Sequence, residues 1–509
     1  MQKKLICLLV AACVPGLAMA DSTSAEIKTL TAELHALQKQ VAQLQAQVAA
    51  KAPAPAAAPV VDVSSPDYGK QPAVLTNDEV TDLKQQVAGQ GMKVESLQTA
   101  ATTGPISGLS VTGYLDPTYI YNRDLSSASF LFLNHEPVYN YTNSTFGDVY
   151  LDIKKTFGVG PMAPSAEITL MPNRGNGITL LQNSKGSTAD NIINTAVITV
   201  PLTATTTLVS GLVPSFGGYD VQQSTLMNTI THNMLYDFSD PGSYVGIGAN
   251  YTGDGSRWAW KFFVGNEQYR TYGSVVTTGT NAATGQPTTQ SNRIPTVTAR
   301  VDYTWSSALD IGGSVNIGRQ TLGTGPASST GFGPGGFSPS AFSSYLFGET
   351  DLTYSLADLT YNAEFDYGQQ SHAAFNGNMA QWYGVSLQAN WKFNVAGIGR
   401  MGTTVRYDFL NDQKNGGGGG GIAIGGGTDV SNGFGIDPAC LSASTSGGVQ
   451  CKGANRQDIA FDLLFYPTQQ LTFKAELRHD IASQSVFLKN NGTFTKSNDM
   501  LATQMIYSF

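Results

Sequence analysis

A period of two running from Leu109 to Phe509 constrains this chain more than any other feature. Apolar side chains take every second position in Val149, Leu151, Ile153; in Trp258, Trp260, Phe262, Val264; in Val297, Ala299, Val301, Tyr303, Trp305; and in Leu359, Tyr361, Ala363, Phe365, Tyr367. The rhythm returns in Met401, Thr403, Val405, Tyr407, Phe409, then in Ile459, Phe461, Leu463, Phe465, in Leu471, Phe473, Ala475, Leu477, and in Leu501, Thr503, Met505, Tyr507, Phe509. Weaker segments start near Leu109, Ala166, Ile193, Thr205, Tyr244, Leu309, Tyr345 and Gln381, which brings the total to sixteen. Neighbouring side chains of a strand point to opposite faces, so each segment carries one apolar face and one polar face.

Composition limits where such strands can go. Charged residues make up only 13% of the chain, about half of the ~25% usual for a soluble domain. Apolar residues make up 41%, and beyond residue 20 no apolar run approaches the ~18 residues of a membrane helix. A helical membrane bundle is excluded. The 56 glycines suit many turns. Short connections near 156–164, 201–204, 253–256, 306–308, 355–358, 394–398 and 467–470 alternate with long ones near 123–145, 172–191, 214–243, 267–294, 319–343, 368–379, 411–455 and 480–497. Both ends of the sixteen-strand series then lie on the short-turn side, as in bacterial outer-membrane barrels. Trp258, Trp260, Trp305 and Trp391 lie within a few residues of a short turn, where a membrane-interface girdle would sit. The expected fold is all-β: a transmembrane antiparallel β-barrel of about sixteen strands over residues 105–509.

The segments before the barrel are expected to be separate. Lys3 and Lys4, the apolar stretch Leu5 to Val14 and the small residues Ala18-Met19-Ala20 read as a secretory signal over 1–20. Ile27, Leu30, Leu34, Leu37, Val41, Leu44 and Val48 are spaced by alternating threes and fours, which predicts a coiled-coil helix over 21–50. Residues 51–75 carry Pro53, Pro55, Pro59, Pro66 and Pro72 among alanines and form an extended linker. A weaker heptad, Val80, Leu83, Val87, Val94 and Leu97, predicts a second coiled-coil helix over 76–100. These helices would be periplasmic and would join copies of the chain, a trimer being favoured, or contact the cell wall.

In a closed barrel the polar partners of the outward apolar series face the lumen. The candidate pore-lining residues are Asp152, Lys154, Lys261, Arg300, Asp302, Glu364, Asp366, Arg400, Arg406, Asp408, Asp458, Asp462, Lys474, Glu476 and Arg478, eight acids and seven bases. Isolated burial in a dry core would cost several kcal/mol for each of them, so water or mutual pairing is required. Several pairs could simply brace the wall. The connection 214–243 carries Asp220, Asp237, Asp240 and His232 and no Lys or Arg. Folded inward, it would form an acidic constriction with a mild preference for cations. Cys440 and Cys451 remain after removal of the signal and are expected to form one disulfide in a Gly-rich loop.

Catalytic and metal chemistry find little support. The histidines at 35, 135, 232, 372 and 479 are scattered, and neither His-Glu-x-x-His nor Gly-x-Ser-x-Gly is present. Gly331, Gly333 and Gly336 satisfy Gly-x-Gly-x-x-Gly without the strand and helix that give it meaning. No enzyme, metal or cofactor is expected, and a net charge of -8 argues against nucleic acid.

Several stretches carry a family resemblance. Gly113-Tyr114-Leu115-Asp116 with Tyr119-Ile120-Tyr121-Asn122, the run from Asn143 to Lys155, and Gly211 through Tyr251 with Gly218-Tyr219-Asp220 and Asn228 resemble the OmpL-like family of β-barrel porins of proteobacteria. That family often has Lys where Leu212 stands here. The alternating last strand with its terminal Phe509 resembles the C-terminal signature of barrels inserted by the outer-membrane assembly machinery. The coiled coil and spacer also resemble the layout of trimeric porins for phosphate or dicarboxylates, whose basic eyelet the acidic loop does not match. The expectation is an outer-membrane porin in contact with lipid, passing small hydrophilic solutes by diffusion. The competing expectation is a structural or adhesive envelope barrel with surface-binding loops and a periplasmic stalk.

Overall fold

The computed structural model describes residues 107–131, 149–171, 193–253, 255–267, 275–321, 342–372, 378–412, 414 and 453–509. The signal segment, both predicted coiled coils, the Pro/Ala linker and the Cys440–Cys451 pair lie outside the described residues. The strands fall in one compact unit, Gln90–Phe509.

The first strands are β1 (Leu109–Leu115), β2 (Thr118–Asn122), β3 (Ser127–Leu131), β4 (Val149–Thr156), β5 (Ser165–Leu170), β6 (Ile193–Pro201) and β7 (Thr206–Val213). After a short helix, α1 (Met234–Phe238), come β8 (Tyr244–Thr252), β9 (Trp258–Glu267) and a small separate hairpin of β10 (Val275–Thr280) and β11 (Pro287–Ser291). The wall continues with β12 (Thr296–Ser306), β13 (Leu309–Thr321), β14 (Phe342–Leu356), β15 (Leu359–Gln370), β16 (Ala380–Val395), β17 (Gly399–Asn411), β18 (Asn455–Tyr466) and β19 (Leu471–Ala482). A two-residue pair, β20 (Phe487–Leu488) and β21 (Phe494–Thr495), precedes the last strand β22 (Ser497–Ser508).

Every wall strand is antiparallel to its neighbours, and β22 closes the circle by pairing with β19 on one side and with β1 and β2 on the other. β1 and β2 are halves of one stave interrupted at Asp116-Pro117, since a proline has no N–H to donate to a ladder. β4 pairs with β1 and β3 with β2, so these two also share a stave. The 18 strands of the sheet therefore make sixteen staves, the number the periodicity predicts. One connection differs from the expected pattern. The chain turns within residues 123–126 instead of looping over 123–145, and β3 and β4 are separated by residues 132–148, which lie outside the described residues. The tight turn has a local cause: Asn122 Oδ1 accepts from the Leu125 N–H at 3.2 Å, and Ser126 takes a left-handed φ of 47°.

The two faces of the wall are reversed relative to a soluble sheet. Val111, Phe262, Leu387 and Leu477 stand outward and exposed, whereas Arg406, Asp408, Asp458 and Asp462 on the inner face are buried to within 1%. The outward apolar residues run round the whole barrel, far beyond the few hundred Å² of apolar patch a soluble monomer leaves in water. Trp258, Trp260, Trp305 and Trp391 are all exposed beside short turns, and Trp258 lies 4.3 Å from the Tyr303 ring, centroid to centroid. The fifth tryptophan, Trp382, is buried on the inner face. Among the described residues no helix is long and apolar enough to cross a membrane, a fact with no bearing on strands. Among the described residues the buried side chains form no layer between sheets. They gather inside the cylinder, where the β7–β8 connection packs on the wall.

Candidate functional site

Residues 214–243 leave the rim after β7 and fold into the barrel, and their composition explains why. The segment has no Lys or Arg to hold it in water, and Met227, Ile230, Met234, Leu235 and Phe238 are buried. Asn233 caps α1, its Oδ1 accepting from Tyr236 N at 2.6 Å, while its own N–H donates to Asp220 at 2.7 Å. Leu235 sits against Gly384, where a Cβ would come within 2.1 Å of its Cδ2, so β16 needs a glycine for the helix to approach this closely.

The wall supplies the partners for the loop backbone. Lys474 Nζ donates to the carbonyls of Ser224, Met227 and Thr229 at 2.8, 2.8 and 2.9 Å. Glu476 accepts from the N–H groups of Ile230 and Thr231 at 2.7 and 2.9 Å. Arg406 donates to the Thr231 carbonyl, Arg478 donates to that of His232 at 3.2 Å, and Asp408 accepts from Met234 N at 3.0 Å. On the rest of the circle, Tyr114 accepts from Ser224 N, Glu267 accepts from Gly242 N, and Trp382 donates to Ser239.

Burying these ions costs several kcal/mol each unless charges and hydrogen bonds answer them. The β17–β19 wall answers with a ladder: Arg406 lies 3.0 Å from Asp408 and 3.6 Å from Asp458, and Arg478 lies 2.8 Å from Asp458 and 2.9 Å from Asp480. Arg456 reaches Asp480 at 3.5 Å and lies between the rings of Phe238 and Phe487 at 5.0 and 5.1 Å.

The loop leans on the β15–β19 half and leaves a cavity of about 540 Å³ beside it. Lys261, Arg300, Asp302 and Glu167 line this cavity from the wall, Asp220 and Asp240 from the loop. Arg300 is held by Asp302 and Asp351, both at 2.7 Å, and donates to the Phe216 carbonyl at 3.0 Å. Lys261 stands 5.9 Å from the Phe216 ring centre.

The fifteen wall residues singled out from the strand phase thus occupy four settings. Lys261, Arg300 and Asp302 border the cavity. Glu364, Asp366, Arg406, Asp408, Asp458, Asp462, Lys474, Glu476 and Arg478 are buried, most of them against the inward loop. Lys154 pairs with Glu167 at 3.0 Å beside the part-buried Asp152, and Arg400 lies at the short-turn rim with Asp358. In the loop, Asp220, His232, Asp237 and Asp240 are all buried. His232 stacks on Tyr236 with ring centres 4.3 Å apart, and its Nε2 lies 3.1 Å from the Val221 carbonyl oxygen. Sequence reasoning passed over Glu349, Asp351, Arg456 and Asp480. Asp480 is in phase with Lys474, Glu476 and Arg478, but it falls where the strand was expected to end. Glu349 and Asp351 share the inner face with Tyr345 and Phe347, so on β14 aromatic side chains point inward and the usual apolar-outward signal is reversed.

Burial raises the Asp220 carboxyl to about 6, against the pull of Arg406 and the Asn233 N–H. The docked loop therefore favours the protonated acid. Its stabilising share is complete below the ordinary value of 3.8, falls as pH rises, and is gone above about 6. The change is of the order of 2–3 kcal/mol. Amide exchange over 220–233 should accordingly be slower at pH 4 than at pH 7 after correction for intrinsic rates, and Asp220→Asn should flatten that difference.

Taken together these features define a closed sixteen-stave antiparallel barrel with an inward loop and a polar interior. The chain matches the family described as "Protein of unknown function (DUF3138)" over residues 1–509 and belongs to that family. No curated protein matches it. Among solved structures it is similar to the outer membrane channel DcaP of Acinetobacter baumannii, at 11% identity and a TM-score of 0.46, with 79% of this chain and 97% of that chain covered. It is similar to the anion-selective porin from Comamonas acidovorans at 9% identity and a TM-score of 0.46, covering 79% and 99%. It is also similar to OmpT, an outer membrane protein of Vibrio cholerae, at 10% identity and a TM-score of 0.45, covering 79% and 97%.

Proposed function

We propose that this chain is a porin of the bacterial outer membrane, a passive channel for small hydrophilic solutes and ions. The observation that carries the reading is the pairing of an apolar outer face with a charged inner face that keeps a cavity beside an inward loop. An apolar belt suits lipid, and mixed charges on an inner wall suit water. Short turns and both ends of the strand series on one side support a periplasmic start for the barrel. The resemblance to OmpL-like porins supports the same class. The heptads of residues 21–50 and 76–100 support a periplasmic stalk that joins copies, a trimer being favoured, or touches the cell wall.

The cavity is lined by the acids Glu167, Asp220, Asp240 and Asp302 and by the bases Lys261 and Arg300. With Asp240 neutralised by a proton or a cation, Glu167, Asp302 and, above about pH 6, Asp220 still outnumber the two bases, which favours cations mildly. Reconstitution into a planar bilayer tests the reading: stable conductance steps are expected, with a reversal potential in a potassium chloride gradient that shows mild cation preference. Clear anion selectivity would refute the ion preference. A correctly folded barrel without conductance would refute the channel and favour the structural or adhesive reading.

A further inference from the structure

The inner face of β14 and β15 places acids directly opposite acids. Glu349 pairs across the strands with Asp366, and Asp351 with Glu364. Like charges in such positions destabilise a sheet unless something answers them. Arg300 answers part of this: it contacts Asp351 at 2.7 Å and Glu349 at 3.5 Å. Glu364 and Asp366 have no ion-pair partner among the described residues, and the loop brings a third acid to them. One carboxylate oxygen each of Asp240, Glu364 and Asp366 lies within 4.8 Å of the others, and all three residues are buried. From the loop and β15 together, we propose that Asp240, Glu364 and Asp366 bind a divalent cation of calcium size that pins the inward loop to the barrel wall.

Two further observations point to a ligand there. Glu364 is 2% exposed, and its two oxygens are treated differently. Oε2 accepts from Tyr219 N at 3.3 Å and Asn233 Nδ2 at 3.2 Å, while Oε1 has no hydrogen-bond partner. A buried carboxylate oxygen left without a donor is expensive unless a cation takes that place. The second observation is the cradle of Gly217 and Gly218. A Cβ on Gly218 would lie 2.9 Å from Glu364 Oε1 and 3.0 Å from Asp240 Oδ2, and one on Gly217 would lie 3.1 Å from Asp240 Oδ1. Gly218 also has a φ of +69°, which a side chain would strain. The glycines keep the space before the carboxylates open.

The chemistry favours calcium over magnesium. Calcium takes about 6–8 oxygens in flexible geometry, whereas magnesium demands a near-ideal octahedron and gives up its water reluctantly. Three carboxylates supply the charge. Gly217, Gly218 and Asp240 line the cavity, which gives the ion a way in and supplies water for the remaining positions. Burial and the neighbouring Asp366 hold the Asp240 carboxyl well above its usual range, so a proton competes for the place when no metal is bound.

The test uses the full chain, refolded in detergent free of lipopolysaccharide and stripped with a chelator. Calcium chloride alone is titrated at pH 7.5 in a calorimeter, with magnesium chloride in parallel. One calcium per chain is expected, with magnesium weaker by about tenfold or more. Glu364→Gln and Asp240→Asn should each weaken calcium by about tenfold or more, because affinity follows ligand charge. Asp310→Asn, at an exposed position on β13, should bind as the parent does. Heat-dependent gel mobility shows whether each variant is a folded barrel. Absence of saturable calcium binding in the folded parent overturns the proposal, as does unchanged affinity in folded Glu364→Gln. A barrel that conducts but binds no calcium sinks the site and leaves the channel reading standing. One that binds calcium and never conducts does the reverse.

Discussion

Arg406→Met is expected to release the inward loop from the barrel wall. Arg406 is fully buried, lies 3.0 Å from Asp408 and 3.6 Å from Asp458, and donates to the Thr231 carbonyl and hydroxyl. Its removal leaves the buried Asp408 without an ion-pair partner among the described residues and Asp458 with one guanidinium, that of Arg478, instead of two. Breaking a buried pair in this way costs about 3–5 kcal/mol. The staves hold one another through their ladders, so the loss should fall on the loop contact. Single-channel conductance should rise, with faster flickering, and protease should gain access to residues 214–243 while strand content stays unchanged. Arg406→Lys should lie between the two, keeping the charge and losing the planar fork that serves Asp408 and Thr231 together. Conductance and protease resistance equal to the parent in folded Arg406→Met would show that the ladder does not hold the loop.

The barrel was legible in the sequence because a strand between two media writes its environment into alternate residues. Phe461 and Leu463 on one face, and Asp458 and Asp462 on the other, need only their neighbours to be read. That property is local, and it yielded the number of staves, although it missed β3 within the stretch expected as a connection. What escaped is the part set by contacts distant in sequence. Lys474 meets the carbonyls of Ser224, Met227 and Thr229 across some 250 positions, a relation no window along the chain contains. Lys261 and Lys474 hold the same phase on the inner face, yet one lines a cavity and the other is buried under the loop. The acids of the loop show the same gap. Its composition announced Asp220 and Asp240 as acidic, but whether a carboxylate looks at water, at a backbone N–H or at another carboxylate depends on docking. The broken first stave was partly readable. Pro117 forbids a continuous ladder, but the tight turn at 123–126 depends on the Asn122 side chain reaching Leu125, which composition does not reveal.

Gly113→Val is expected to prevent the barrel from closing. A closed sheet has no free edge only if its last strand finds its first, and the join here is narrow. β1 offers β22 the pairs Tyr114↔Ser508 and Leu115↔Tyr507, extended by the exchange of two hydrogen bonds between Gly113 and Phe509 at 3.0 and 2.9 Å. A Cβ on Gly113 would lie 2.3 Å from the Tyr150 carbonyl oxygen and 2.9 Å from Phe509 Cζ. The ring can swing away, but the carbonyl is backbone of β4 and cannot without breaking the β1–β4 ladder. The cost is about 1–3 kcal/mol of overpacking, with about 1 kcal/mol more for each hydrogen bond lost at the join. An unclosed barrel in lipid would expose unpaired backbone along two edges, at several kcal/mol for each group. The consequence should be close to all-or-none: the heat-modifiable folded band disappears and refolded protein aggregates. Phe509→Ala keeps the backbone exchange and should still refold in detergent. Combined with Gly113→Val it should recover little, because the Tyr150 carbonyl remains. Refolding of Gly113→Val at the parent's yield would show that the circle closes through β2 alone, without the lower half of the first stave.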